Sequence, residues 1–162
     1  MQAISKVIIM HPFDKLSAIA ETEGIPVEYF DFAPPIKGLY WAEDDLPPII
    51  GLDNSLKRDS RLLTCVFAEE LGHHFTTVGQ HLPREFYNRS ALLYINKIEF
   101  KALRWAALQL MPYQELIHAF RKGHHDVWDL ADYFDVTEDM VTFRLSLLRL
   151  KHTSIRSLIC RS

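Results

Sequence analysis

The stretch Ala68-Glu69-Glu70-Leu71-Gly72-His73-His74 carries the residues best suited to chemistry. Glu69 and His73 are four apart, so on a helix they share one face and can grip the same ion. The pattern differs from the two-ligand zinc motif H-E-x-x-H only at its first position, where Glu69 stands for histidine. Glu70 follows the first ligand and is placed to take a proton from an attacking water. A catalytic zinc needs three protein ligands and one open position. The third ligand must therefore come from elsewhere, and Glu99, an acid on the next long helical pattern, is the strongest candidate. Glu70 and His74 are also four apart; the Glu69/His73 register is preferred because it leaves a glutamate free as general base. The alternative for these residues is a solvated helix face. Val66, Phe67, Leu71 and Phe75 around them argue that at least one acid faces the interior, where a bare carboxylate is costly and a cation compensates it.

The elements that must position these groups follow from periodicity. Leu56, Leu62, Leu63, Val66, Phe67, Leu71 and Phe75 recur at three and four, which predicts a helix over 57–76. A second long helix is predicted over 91–111, ended by Pro112, with a loop over 79–89 that lets the two pack antiparallel. Gly72 inside the first helix costs about 1 kcal/mol relative to alanine, and room for another backbone is the reason to keep it. Before these helices the pattern gives a short helix over 14–23, closed by Gly24, and a strand over 27–32 broken by Pro34-Pro35. Two further strands, 39–41 and 49–52, turn at Glu43-Asp44-Asp45. Pro47 and Pro48 suggest that the latter begins late or lies at a sheet edge. Either strand could pair with an extended peptide. After Pro112, helices are expected over 113–121, 127–134 and 138–150, the last capped by Thr137. Strands followed only by helices give an α+β fold, divided here into residues 1–112 and a helical C-terminal part, 113–162.

Bulk properties narrow the function classes. Of 162 residues, 48% are hydrophobic, enough for a real core, so disorder is excluded. A net charge of −3 speaks against a general nucleic-acid or membrane-surface binder. The apolar run near Met1 is too short to span a membrane and lacks a cleavage site. Two cysteines, Cys65 and Cys160, outside any CxxC pair, fit a reducing cytoplasm better than a disulfide scaffold.

Beyond these blocks, the chain from Ala68 to His74 together with Glu99-x-x-Ala102-x-x-Trp105-Ala106-Ala107-x-x-Leu110-Met111-Pro112 resembles the ImmA/IrrE metallopeptidases of bacteria and their mobile elements. The resemblance covers 55–112 well and the preceding strands plausibly. It implies a minimal zincin core, a small mixed sheet with two long active-site helices, and a C-terminal helical appendage. It also implies site-specific cleavage of a repressor, typically a helix-turn-helix regulator of a prophage or conjugative element. Carried over by position, His73 and Glu99 are metal ligands and Glu70 the catalytic acid/base. Glu69 occupies the position where the family most often has histidine. One zinc ion is the implied cofactor; one imidazole with two carboxylates is a harder, more anionic set that admits another divalent metal.

Other residues carry weaker readings. Cys65, one turn before Glu69, is a core residue before it is a fourth ligand. His124-His125 is read as a surface turn, and His11, His81, His118 and His152 have no partner in sequence. Leu130 to Leu145 resembles a helix-turn-helix, and basic residues gather from Arg144 onward. Glu138 and Asp139 open its second helix and would meet phosphates unfavourably, so nucleic acid is disfavoured. Two non-catalytic alternatives share the scaffold: a module that sequesters the repressor without cutting it, and a DNA-binding regulator acting through the C-terminal helices.

Overall fold

The computed structural model describes residues 11–43, 45–77 and 89–159. Helix α1 runs Pro12–Thr22, with proline in its first turn and the His11 ring accepting from the Phe13 amide. Gly24, at φ +67°, turns the chain out of it. Strands β1 (Val27–Phe30), β2 (Gly38–Trp41) and β3 (Ile49–Asp53) follow, then a 3₁₀ turn at Asn54–Arg58. Five further helices complete the order: α2 (Ser60–Thr76), α3 (Arg89–Leu110), α4 (Tyr113–Arg121), α5 (Val127–Phe134) and α6 (Glu138–Ile159). The fold is α+β, as the order of elements implied.

The sheet order is β1-β3-β2. β3 is parallel to β1, with Val27 opposite Ile50, and antiparallel to β2, with Tyr40 opposite Ile50. The prolines at 47 and 48 do delay β3 to Ile49, but β3 is the central strand and not an edge. Its Ile50 and Leu52 are fully buried, and a central position is what buries them. Among the described residues the edge strands are β1 and β2, so of the two strands first considered 39–41 is the one with an edge open to a peptide.

Asp53 closes the sheet. Its carboxylate accepts from the Phe32 and Ser55 amides, each at 3.0 Å, and from the Ser55 hydroxyl, with Lys37 at 3.4 Å. Those donors, led by the Ser55 hydroxyl, hold its pKa down to about 2.

Helix α2 starts at Ser60, later than the periodicity suggested, because Asp59 takes the N-cap and accepts from the Leu62 amide at 3.0 Å. α2 lies on the sheet and packs along α3. That pairing is close because small residues line it: Ala102, Ala106 and Ala107 of α3 are fully buried. A Cβ at Gly72 would run into the Ala102 backbone, 2.8 Å from its carbonyl carbon. The glycine is therefore a contact residue between two backbones, as its cost in a helix suggested. The loop expected over 79–89 lies almost wholly outside the described residues.

The C-terminal helices share this core. Leu116, Leu130, Val136 and Val141 are fully buried and belong to one cluster with Phe67, Leu71 and Met111. Thr137 caps α6, its hydroxyl accepting from the Met140 amide at 3.3 Å. α6 extends to Ile159, further than the expected 150. Arg144 is buried, and its guanidinium Nε donates to the Met111 carbonyl at 2.9 Å, satisfying an orphan acceptor just past α3. Among the described residues, no helix is long and apolar enough to cross a membrane.

Candidate active site

The site lies where the C-terminal half of α2 meets α3 and the edge strand β2. Helical spacing puts Glu69 and His73 on one stripe of α2, and Glu70 on the neighbouring stripe toward the sheet. Glu70 is 9% exposed and His73 7%. Glu99 reaches in from α3, its Oε2 3.3 Å from His73 Nε2, with the carboxylate half open to solvent. The Gly72–Ala102 contact explains this proximity. Glu99 stands three residues before Ala102, one turn along the same face, so the two close backbones bring its carboxylate to His73.

Electrostatics mark the same cluster. The Glu70 carboxyl is pushed up to about 7, by burial first and with the charges of Glu69 and Glu99 acting in the same direction. His73 and the Tyr40 amide, which donates to it, pull the other way. Glu69 is also raised, by burial first and then by the Glu99 charge, with His73 opposing. His73 is raised as well: burial favours its neutral form, but the hydrogen bond to Glu99 and the charges of Glu70, Glu99 and Glu69 outweigh that. Three carboxylates around one imidazole is a site short of positive charge.

That shortage is the test of whether a metal fits. Two carboxylates and an imidazole suit a divalent cation by type and charge, and such an ion would offset the crowding of negative charge around His73. As they stand, however, His73 and Glu99 are paired with each other. Among the described residues, no group of three or more histidines, cysteines, aspartates or glutamates is arranged to hold a metal ion. The structure thus brings His73 and Glu99 together, sets Glu69 within electrostatic reach of both, and does not gather all three into a coordination shell.

Residues that spacing did not single out also build the site. Gly38 of β2 lies against Glu70: a Cβ there would strike the Glu70 Oε1 and come within 2.9 Å of its Cγ and 2.7 Å of Val66 Cγ1. Gly38 opens β2, one residue before the strand expected over 39–41, so the sequence pattern gave no sign of this approach. Tyr40, two residues on, contributes the amide that meets Glu70. Cys65 is no fourth ligand. It is buried in the core, burial raises its thiol, and its sulfur accepts from the Thr137 amide at 3.5 Å.

The remaining histidines are mostly accounted for. His11 bonds Asp135 at 2.6 Å, and Arg61 joins Asp135 and Asp132 at 3.1 and 2.7 Å, tying α2 to the turn after α5. His124 bonds Asp129 at 2.8 Å, and the His125 ring stacks on Phe120. His81 and Cys160 lie outside the described residues. In the helix-turn-helix-like segment, Arg144 is committed to Met111, and Asp132 and Asp135 face Arg61.

A small mixed sheet, a long helix carrying E-E-x-x-H across it and a second helix returning a glutamate make up a minimal zincin-like core. A family model described as the IrrE N-terminal-like domain, a peptidase domain, matches residues 20–146. No curated protein and no solved structure gives a match. The matched span takes in β1 to β3, both site helices and the helices after them, so the chain belongs to the IrrE N-terminal-like peptidase family.

Proposed function

We propose that this protein is a metal-dependent endopeptidase that cuts a helix-turn-helix repressor of a prophage or mobile element at a specific site. The observation that carries the reading is Glu70: a carboxyl pushed up to about 7, buried beside a histidine–glutamate pair and held by an edge strand. A carboxyl at that value can take a proton near neutral pH and give it back. Family membership supports the peptidase class; the repressor as substrate rests on the resemblance of the two sequence blocks.

Glu69, His73 and Glu99 would hold one divalent cation, zinc or a harder ion. When bound, it would supply a Lewis acid for the scissile carbonyl and for water. The chain's own residues do the rest. Glu70 takes the proton from the attacking water at its carboxylate and delivers it to the leaving amine. The Tyr40 amide fixes the direction of that carboxylate. β2, which among the described residues pairs with β3 alone, offers its other edge to an extended substrate segment. Leu39 and Trp41, 41% and 50% exposed, stand on the strand face opposite Gly38 and Tyr40, ready for apolar side chains.

The test is Glu70→Gln, an isosteric change that removes the proton carrier. Mixed with candidate helix-turn-helix repressors, the wild type should yield two discrete fragments from one of them. The variant should yield none, while its circular dichroism and zinc content stay at the wild-type level. Fragments at an unchanged rate would remove Glu70 from the mechanism. An intact complex with no fragments from the wild type would instead make the protein a sequestering module.

A further inference from the structure

His74, beside the ligand position His73, links three elements around the site. Its Nδ1 lies 3.0 Å from the Tyr40 hydroxyl on β2. Its Nε2 lies 3.4 Å from a carboxylate oxygen of Glu23, at the end of α1. An ionised Glu23 can only accept, so Nε2 carries a proton, and Nδ1 pairs with the Tyr40 hydroxyl. The rings continue the link. Tyr40 meets His74 edge-on at 5.6 Å, His74 meets Phe75 edge-on at 4.9 Å, and Phe75 stacks on Trp105 of α3 at 4.8 Å. Tyr40 is therefore held at both ends of the residue: its hydroxyl by His74, its amide against Glu70.

We propose that His74 is a positioning residue for Glu70, acting through Tyr40, with Glu23 fixing the imidazole. The physical need is plain. β2 is a four-residue strand that, among the described residues, has a sheet neighbour on one side only. Gly38 has no side chain with which to anchor it, because Glu70 fills that space. A strand so short drifts relative to α2 unless something ties the two together, and a catalytic group must be held to within about 0.5 Å. The Tyr40–His74 bond is that tie, and the Tyr40 amide transmits it to the Glu70 carboxylate. The inference rests on the peptidase reading for its consequence on rate, but not for the link itself.

Two readouts test it: steady-state cleavage of the helix-turn-helix repressor that the protein is proposed to cut, and amide hydrogen exchange at Tyr40. Losing one hydrogen bond that aligns the base should make His74→Ala about tenfold slower in kcat, with KM within about twofold. Exchange at Tyr40 should speed up about tenfold for the same reason. His74→Asn, whose Oδ1 falls near the place of Nδ1, should recover most of both. Glu23→Gln and Tyr40→Phe, milder changes, should shift both in the same direction, and Tyr40→Phe added to His74→Ala should cost nothing more. The proposal is overturned if His74→Ala leaves kcat unchanged, or Tyr40 exchange unchanged, or if asparagine rescues neither. A wild type that cuts nothing would defeat the peptidase reading, and Tyr40 exchange would still decide whether His74 holds the strand.

Discussion

Glu70 is the residue whose environment departs furthest from what a glutamate ordinarily meets. Buried behind β2 and flanked by two further carboxylates, it titrates near 7 in place of 4.5. The sign of the consequence for stability follows directly. Between pH 4.5 and about 7 the folded, metal-free protein keeps a proton that the unfolded chain has released. Raising pH through that window therefore weakens the fold, by at most on the order of 3 kcal/mol, and the loss levels off above 7. His73, also raised, acts in the same direction as its imidazolium deprotonates. Glu70→Gln should remove only the Glu70 share. Urea unfolding of metal-free protein across pH 4.5–8 should show the wild type losing stability that the variant keeps; parallel curves would contradict the assignment.

Among the elements, the contact between α2 and α3 decides the site. Two glycines do different work at its borders. Gly72 lets the Ala102 backbone lie against α2, and Gly38 lets Glu70 lie against β2. Gly72→Ala forces a methyl into main-chain atoms that cannot turn aside, so the helices must part. The gain of helix propensity, about 1 kcal/mol, opposes an overpacking cost of about 1–3 kcal/mol. We expect net destabilisation by about 1 kcal/mol or more in urea unfolding, together with loss of the His73–Glu99 approach, read as weakened zinc binding in a calorimetric titration. Gly38→Ala acts on the other side: its methyl meets Val66 Cγ1 and Glu70 Cγ as well as the carboxylate, so both side chains must give way and Glu70 leaves its place. Repressor cleavage should fall at least about tenfold, with a loss of stability no larger than about 1–3 kcal/mol in urea unfolding; cleavage at the wild-type rate would show that Glu70 does not depend on that space.

For the whole molecule, the proposed cation binding would be coupled to folding, because its three candidate ligands come from two different helices. An ion that binds only the folded state stabilises it, by about 2.7 kcal/mol at a hundredfold excess over its dissociation constant. Zinc added to chelator-treated protein should raise the melting temperature, and His73→Ala or Glu99→Gln should abolish the rise; a rise that survives both variants would place the ion elsewhere. What the sequence by itself determined is local. The three-four recurrence from Leu62 to Phe75 set α2, Pro112 stopped α3, and Glu69, Glu70 and His73 share a helix segment because their separations are shorter than a turn and a half. Glu99 was legible through its block of small residues and the resemblance that block carries. What only the tertiary structure decided is non-local. Sheet order put β3 in the centre and β2 at the edge; Pro47 and Pro48 delay β3 without placing it at an edge. That order set Tyr40 between Glu70 and His74, residues thirty and more positions away. Arg144 on the Met111 carbonyl and His11 on Asp135 are of the same kind. The physical reason is that periodicity records which face of an element is apolar, whereas the partner a face meets depends on how the elements stack, and no spacing within one element encodes that.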